Sequence, residues 1–357
     1  MVADNQRIKS IEASRGIAAL LVVLYHASAF MQVQEYFDFV PIGGVVDFGF
    51  SGVDFFFILS GFIILTANRN NLGRAGTAGP YLVKRIIRIY PIYWFVCALL
   101  IPAYFLLPIA RIGYETEIAA IIGSLALFPM DHHPILAIAW TLNHEMLFYL
   151  LFVLLIVGGR VGLFVLIGWQ AATVAINLIE IDSHYLFNFL FHIQNLQFGL
   201  GMIAGLIAWR TSIPFPRLVA LIGATAFVAT GLSHVWDAEP LSPRIMHMGF
   251  GLSAALIVIG LSCAELNGKL RTPRILVFLG AASYATYLIH YPAELVMTKG
   301  MVWLNADQNL PPTFIFVAIA SVGLGAGLIL HVVVERRLIY WVKTYSSRVG
   351  LLRPNVA

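Results

Sequence analysis

His26 stands eleven residues after Arg15, with the apolar run GIAALLVVLY between them, and Glu12 comes three residues before Arg15. An imidazole can take and return a proton near neutral pH, and a guanidinium can hold an oxyanion, so these residues have the parts for acid–base chemistry beside an anionic group. On a helix, eleven steps of about 100° return to nearly the same face about 16 Å further on, which puts Glu12, Arg15 and His26 on one stripe. The arginine then lies near a membrane surface and the histidine well inside. Polar groups at such depth carry a desolvation cost that ordinary packing does not offset, so their default reading is functional.

Other segments carry candidate chemistry. In KRIIRIYPIYW, residues 84–94, Arg85 and Arg88 lie one turn apart at the expected start of an apolar span, where they either anchor lipid headgroups or clamp phosphates through bidentate bonds. Trp140–Tyr149 reads WTLNHEMLFY, with Glu145 and Tyr149 on one face and His144 pointing elsewhere; the glutamate either pairs a buried cation, orients an imidazole or recognises hydroxyl groups. In GAASYATYLIHYPAE, residues 280–294, Ser283, Tyr287, His290 and Glu294 form a polar stripe that is either an interhelical hydrogen-bond seam or part of an acceptor site. SGVDFFFILSGFIIL, residues 51–65, reads as a small-residue packing face with Asp54 near its start. His331 and Glu335 form a structural i,i+4 pair, while His184, His192, His234 and His247 fall at loops or span ends without an evident partner. Asp131, His132 and His133 are too local to converge on a metal, and no metal is expected.

The elements that must position these residues are membrane helices. The 357 residues are 60% hydrophobic and only 11% charged, far from a soluble domain of this length. Apolar runs give candidate spans near 14–34, 48–67, 86–108, 141–158, 162–180, 193–209, 217–234, 246–264, 275–297 and 313–334; the run 118–130, short and bounded by Glu115, Glu117 and Asp131, is decided by charge. With 118–130 left out, most bases from Arg7 and Lys9 to Arg348 fall on one side. Glu35, Asp38, Glu115, Glu117, Asp131, Asp182, Asp237, Glu239 and Asp307 fall on the other, with Arg111 and Arg244 as exceptions. The expectation is an all-α polytopic integral membrane protein of about ten transmembrane helices, with one short re-entrant or interfacial helix and both termini cytoplasmic. The first span is read as uncleaved, although Ala27-Ser28-Ala29 resembles a signal-peptidase site. Cys97 and Cys263 match no redox or metal spacing, and the net charge of +4 reflects anchoring at the membrane, not nucleic-acid binding. No internal repeat is evident, and residues 1–350 read as a single membrane domain with a short tail, 351–357.

Glu12-x-x-Arg15-Gly16 with His26, the 52–61 segment with its Ser-Gly pair, Arg85-x-x-Arg88 before Tyr90-Pro91, Trp140-Thr141-Leu142-x-x-Glu145-x-x-Phe148-Tyr149, and Ser283-Tyr284-x-x-Tyr287-x-x-His290-x-Pro292 together resemble the family 3 membrane acyltransferases. Within them the chain is similar to exopolysaccharide O-acetyltransferases. The resemblance implies a bacterial inner-membrane enzyme that moves an acetyl group from cytoplasmic acetyl-CoA to a hydroxyl of an exopolysaccharide or lipid-linked glycan, beside polysaccharide-synthesis machinery. His26 matches the essential first-span histidine, Arg15 its preceding arginine, Arg85 and Arg88 the paired arginines and Glu145 the fourth-span acid; chemistry then makes His26 the general base, oriented by Glu145 or Glu12, with Arg85 and Arg88 on phosphates of the donor and Arg15 on a nearby anionic group. Tyr149, Ser283, Tyr287 and His290 are left as acceptor-binding or structural. Many members carry aspartate at position 12, where this chain has glutamate. Direct transfer at His26 is preferred over an acyl-protein relay, because no well-placed cysteine or serine nucleophile is identifiable. A proton-coupled transporter or glycan flippase, and a structural subunit of a synthesis complex, are the alternatives of a different class.

Overall fold

In a computed structural model the chain is built of helices, with no strand among the described residues, which are 8–106, 113–181, 183–211, 213–236 and 241–348. Arg7, Arg111, Asp182, Asp237 and Glu239, which enter the charge pattern above, lie outside them, as does the tail 351–357. The chain divides into two compact units that interleave in sequence: residues up to Ala67 with Leu196–Ile329, and Asn68–Asn195 with the residues from Leu330 onward. Among the described residues ten helices are long and apolar enough to cross a membrane, and each coincides with one of the ten apolar runs.

The first unit contains α1 (Lys9–Gln32), a 3-10 segment (Pro41–Ser51) and α2 (Gly52–Asn68). Its later helices are α8 (Asn195–Arg210), α9 (Pro216–Trp236), α10 (Pro243–Leu266), α11 (Arg274–Trp303) and α12 (Pro312–Leu330). Of the most apolar stretch of the second span, 72% is buried, against 17% in α9, so α2 is a central helix and α9 faces lipid. Glycines let α2 and its neighbours approach closely. A Cβ on Gly61 would run into the Phe198 carbonyl of α8, one on Gly201 into the Ile58 carbonyl of α2, and one on Gly52 into the Ala18 carbonyl of α1. Gly16 and Gly280 bring α1 and α11 together in the same way, with Glu12 buried against Gly280. At the start of α1 the backbone N–H groups of Lys9 and Ser10 donate to the two carboxylate oxygens of Glu265, at 2.8 and 2.6 Å, so an acid near the end of α10 satisfies the orphan donors and faces the positive helix terminus.

The second unit contains α3 (Ala78–Leu106), α4 (Ile118–Ala126), α5 (Trp140–Gly158), α6 (Arg160–Ile179), α7 (Tyr185–Leu190), a π-helical turn (His331–Glu335) and α13 (Arg336–Arg348). α4 is nine residues long, about 14 Å, less than half of a hydrocarbon core of roughly 30 Å, so the run 118–130 does not cross. The Leu127 N–H caps the Gly123 and Ser124 carbonyls, and the last carbonyls otherwise face an apolar setting. Three donors of α3 meet them: Tyr93 Oη bonds to the Ser124 carbonyl at 2.7 Å, Trp94 Nε1 to Leu125 at 2.9 Å and Tyr90 Oη to Ala126 at 2.9 Å. The apolar run alone starts the third span at 86, but α3 begins at Ala78. Arg85 and Arg88 therefore sit about two and three turns inside a helix, not at its mouth. The helix continues through them because both guanidiniums interact with other side chains of the same unit, as described below, so their charge does not end it.

Candidate active site

His26 projects from the second half of α1 and remains partly exposed. Its Nδ1 lies 2.9 Å from the Val22 carbonyl and 3.2 Å from Nε2 of His290 on α11. Nδ1 of His290 in turn lies 3.1 Å from the Thr286 carbonyl. A carbonyl can only accept, so in the neutral pair both Nδ1 atoms carry the proton. The lone pair of His290 Nε2 then faces the His26 N–H. Nε2 of His26 is left as the basic nitrogen. The ring is steadied edge-on by Tyr25, with centroids 5.0 Å apart, and by Tyr291, at 5.2 Å. One nitrogen is thus tied to the Val22 carbonyl and to His290, a pairing compatible with acid–base work at the other.

Glu12 and Arg15 lie on the same helix but far from that ring. Glu12 is about 21 Å and Arg15 about 16 Å along α1 from His26, so the acidic residue expected to orient the imidazole cannot be Glu12. The orienting contact comes from His290 instead. Ser283, His290 and Glu294 are wholly buried in α11 and Tyr287 nearly so, with Tyr287 edge-on to Phe56 at 5.8 Å. The polar stripe read from the sequence thus faces the interior of its unit and reaches α1 through His290. Glu294 packs against Gly323 of α12, and neither of its oxygens has a hydrogen-bond partner among the described residues.

In the second unit, Glu145 accepts a hydrogen bond from the Tyr149 hydroxyl, and Arg85 lies over two aromatic faces, 5.3 Å from the centroid of Tyr81 and 5.4 Å from that of Tyr149. Arg85 and Arg88 both reach the Tyr149 hydroxyl electrostatically. Two guanidiniums, one carboxylate and two tyrosines therefore form one cluster with excess positive charge. Because α3 begins at Ala78, the arginines lie about two to three turns inside it and meet Glu145, itself more than a turn inside α5; the apolar runs alone place them at opposite ends of their spans. Nε of Arg85 is buried without a partner among the described residues, a donor available to an anionic ligand. His144 points away from this cluster, bonding Asn195 Oδ1 at 2.9 Å and stacking on Phe189.

The histidines without an evident partner include one that has a strong one. His247, at the start of α10, places Nδ1 2.9 Å from Oδ1 of the fully buried Asp54, which also accepts from Gln197 of α8. Asp54 at the beginning of α2 was legible as a polar intrusion, but its partners lie 143 and 193 residues away, and no local spacing signals them. His331 and Glu335 do pair, at 2.5 Å, within the π-helical turn. His132 turns Nδ1 to the His133 carbonyl, 2.9 Å away, and no group of three or more His, Cys, Asp or Glu side chains suited to a metal occurs among the described residues.

Comparison with known proteins finds similar sequences along most of the chain. The chain is 29% identical to the exopolysaccharide production protein ExoZ of Rhizobium meliloti (strain 1021), over 82% of this chain and 90% of that protein. It is 24% identical to a Komagataeibacter xylinus protein described as a membrane-bound transacylase, BcsY, over 93% of this chain and 83% of the relative. No solved structure matches it. Residues 8–330 match the acyltransferase domain Acyl_transf_3, which takes in nearly the whole helical bundle and every candidate residue above. With ten helices fit to span a bilayer and this match along them, the chain belongs to the family 3 acyltransferases and is a membrane-bound acyltransferase.

Proposed function

We propose that this protein transfers an acetyl group from acetyl-CoA to a hydroxyl of an exopolysaccharide or its lipid-linked precursor in the bacterial inner membrane, with both termini cytoplasmic. The observation that carries the reading is the tied His26–His290 pair, which leaves one basic nitrogen on a partly exposed ring of α1. The names of the relatives support the polymer and the acyl transfer.

A thioester is already activated, whereas a sugar hydroxyl is a poor nucleophile until its proton leaves. In the proposed step the hydroxyl oxygen bonds to the thioester carbonyl carbon as its proton passes to His26 Nε2. The tetrahedral intermediate then collapses, the carbon–sulfur bond breaks, and His26 returns the proton to the departing CoA sulfur. Charge on the imidazolium is met by the Val22 carbonyl and His290 Nε2. Arg85 and Arg88 hold phosphates of CoA, with Tyr81 and Tyr149 keeping the Arg85 fork in place and Glu145 fixing Tyr149. Arg15 takes a further anionic group of the donor. Binding energy spent on these remote phosphates positions the thioester for attack.

The test is to incubate the purified protein with acetyl-labelled CoA and candidate oligosaccharides and to look for alkali-labile label on the glycan. Acceptor-dependent label establishes the reaction. Acceptor movement across proteoliposomes with no label on the glycan overturns it in favour of a transporter, and label trapped on the protein before acceptor is added replaces direct transfer with a relay.

A further inference from the structure

A cleft of about 600 Å³ lies within the first unit, lined along α1 and its C-cap by Tyr25, Ala29, Gln32 and Val33 and not by His26 itself, at the end of the helices opposite the Glu265 clasp on α1. Its volume lies within the roughly 300–1,000 Å³ of ordinary small-molecule sites. Tyr25, the immediate neighbour of His26, forms one wall, so the cleft is one ring away from the proposed base. Phe50 supplies a second aromatic wall and is held edge-on by Tyr25 at 5.8 Å, His234 at 5.5 Å and Phe250 at 5.7 Å.

The polar groups of the cleft are held by the protein on one side and available on the other. Ser28 Oγ at 2.6 Å and Gln32 Nε2 at 3.0 Å both donate to Oδ1 of Asp47, and Oδ2 has no donor among the described residues. His247 gives Nδ1 to the buried Asp54, so its Nε2 is the nitrogen left for a ligand. Aromatic faces with fixed hydrogen-bonding groups between them suit a ring that is apolar on its faces and hydroxylated at its edge. The two carboxylates, one lining the cleft and one directly behind it, disfavour a ligand that carries its own negative charge.

We infer that this cleft binds the acceptor, and that it takes a neutral pyranose residue of the glycan, stacked on Tyr25 and Phe50, with hydroxyls bonded to Asp47 and His247. The inference rests on the transferase reading and names the substrate class of that same site. With the start of α1 cytoplasmic, the cleft opens on the extracytoplasmic side, so donor and acceptor approach the histidine from opposite faces. Asp54 and Gln197 are positioning residues here, acting through His247.

The experiment is direct binding, which needs no chemistry. The detergent-purified full chain is titrated with three neutral hexaoses, of glucose, galactose and mannose, and with hexagalacturonate, by calorimetry. At least one neutral hexaose is expected to bind about tenfold or more tightly than the uronate, and Phe50→Ala to weaken it about tenfold or more. The near-isosteric Asp47→Asn and His247→Gln keep the test open should Phe50→Ala fail to fold. Each is expected to weaken the neutral sugar, and D47N also to narrow its margin over the uronate. Saturable binding of no neutral sugar, equal binding of uronate, or affinities unchanged in D47N and H247Q would overturn the inference. Acetyl transfer is measured on the same preparation: binding without transfer removes the transferase reading and keeps the cleft, and transfer with binding insensitive to these variants does the reverse.

Discussion

At the scale of single residues, the contact that matters most is the 3.2 Å approach of His290 Nε2 to His26 Nδ1. His26→Ala is expected to lower kcat by about 10²–10⁴, the usual contribution of a general base, with membrane insertion and thermal midpoint near wild type. Turnover close to wild type would reject the base. His290 acts through His26, so its variants should separate by hydrogen-bonding ability: His290→Phe loses an acceptor for a charged donor, worth about 1.5–3 kcal/mol or about ten- to a hundredfold in kcat, while His290→Gln keeps a carbonyl acceptor and recovers part of it. Equal loss in both would mean that the ring only fills space. Arg85 makes a different prediction. Arg85→Lys keeps the charge but loses the planar fork over Tyr81 and Tyr149, so the KM for acetyl-CoA should rise nearly as much as in Arg85→Ala, by about tenfold or more, with little change in the acceptor KM.

At the scale of elements, close helix approach and satisfied helix ends hold the bundle. Gly201→Leu would drive a side chain into the Ile58 carbonyl of α2, and its cost, about 1–3 kcal/mol or more, should appear as a lower apparent Tm even in the absence of substrates. Tyr93→Phe keeps the buried ring but removes one of the two donors to the Ser124 carbonyl, which keeps the Leu127 N–H, so α4 should lose about 0.5–1.5 kcal/mol, read as a lowered Tm and faster amide exchange confined to residues 118–127. Global loosening of exchange would instead show that α4 is not a separate clasped element. The sequence carried the length of this run and its failure to cross. It carried nothing of the three aromatic donors on α3 that hold it, since they become neighbours of its carbonyls only when the chain folds back.

For the whole molecule, the prediction concerns sidedness. Single cysteines at Glu35 and at Gly268, both exposed, should react with a membrane-impermeant maleimide from opposite faces of right-side-out and inverted vesicles, Glu35 from outside. The native Cys97 and Cys263 are both buried and give a low background. Labelling of both sites from one face would overturn the ten-span topology and, with it, the expectation that donor and acceptor arrive from opposite sides.

Hydrophobic runs, the basic bias of alternate loops and the depth of His26 are local properties of the chain, and they were enough to determine the class of the protein, the number of its spans and its candidate base. Helix starts were less legible, as α3 shows: an apolar window stops at the first arginine, whereas a helix continues wherever the charge finds partners. What only the tertiary structure decided is which polar groups meet. Helices of a bilayer protein are joined by interhelical contacts between residues hundreds of positions apart, and 264 residues separate His26 from His290, 193 separate Asp54 from His247, and 255 separate Ser10 from Glu265. No periodicity within a span encodes which face a distant helix will present to it; that follows from the close glycine-mediated packing of the whole unit, and so the contact of His290 with His26 and the cleft that Tyr25 lines became visible only there.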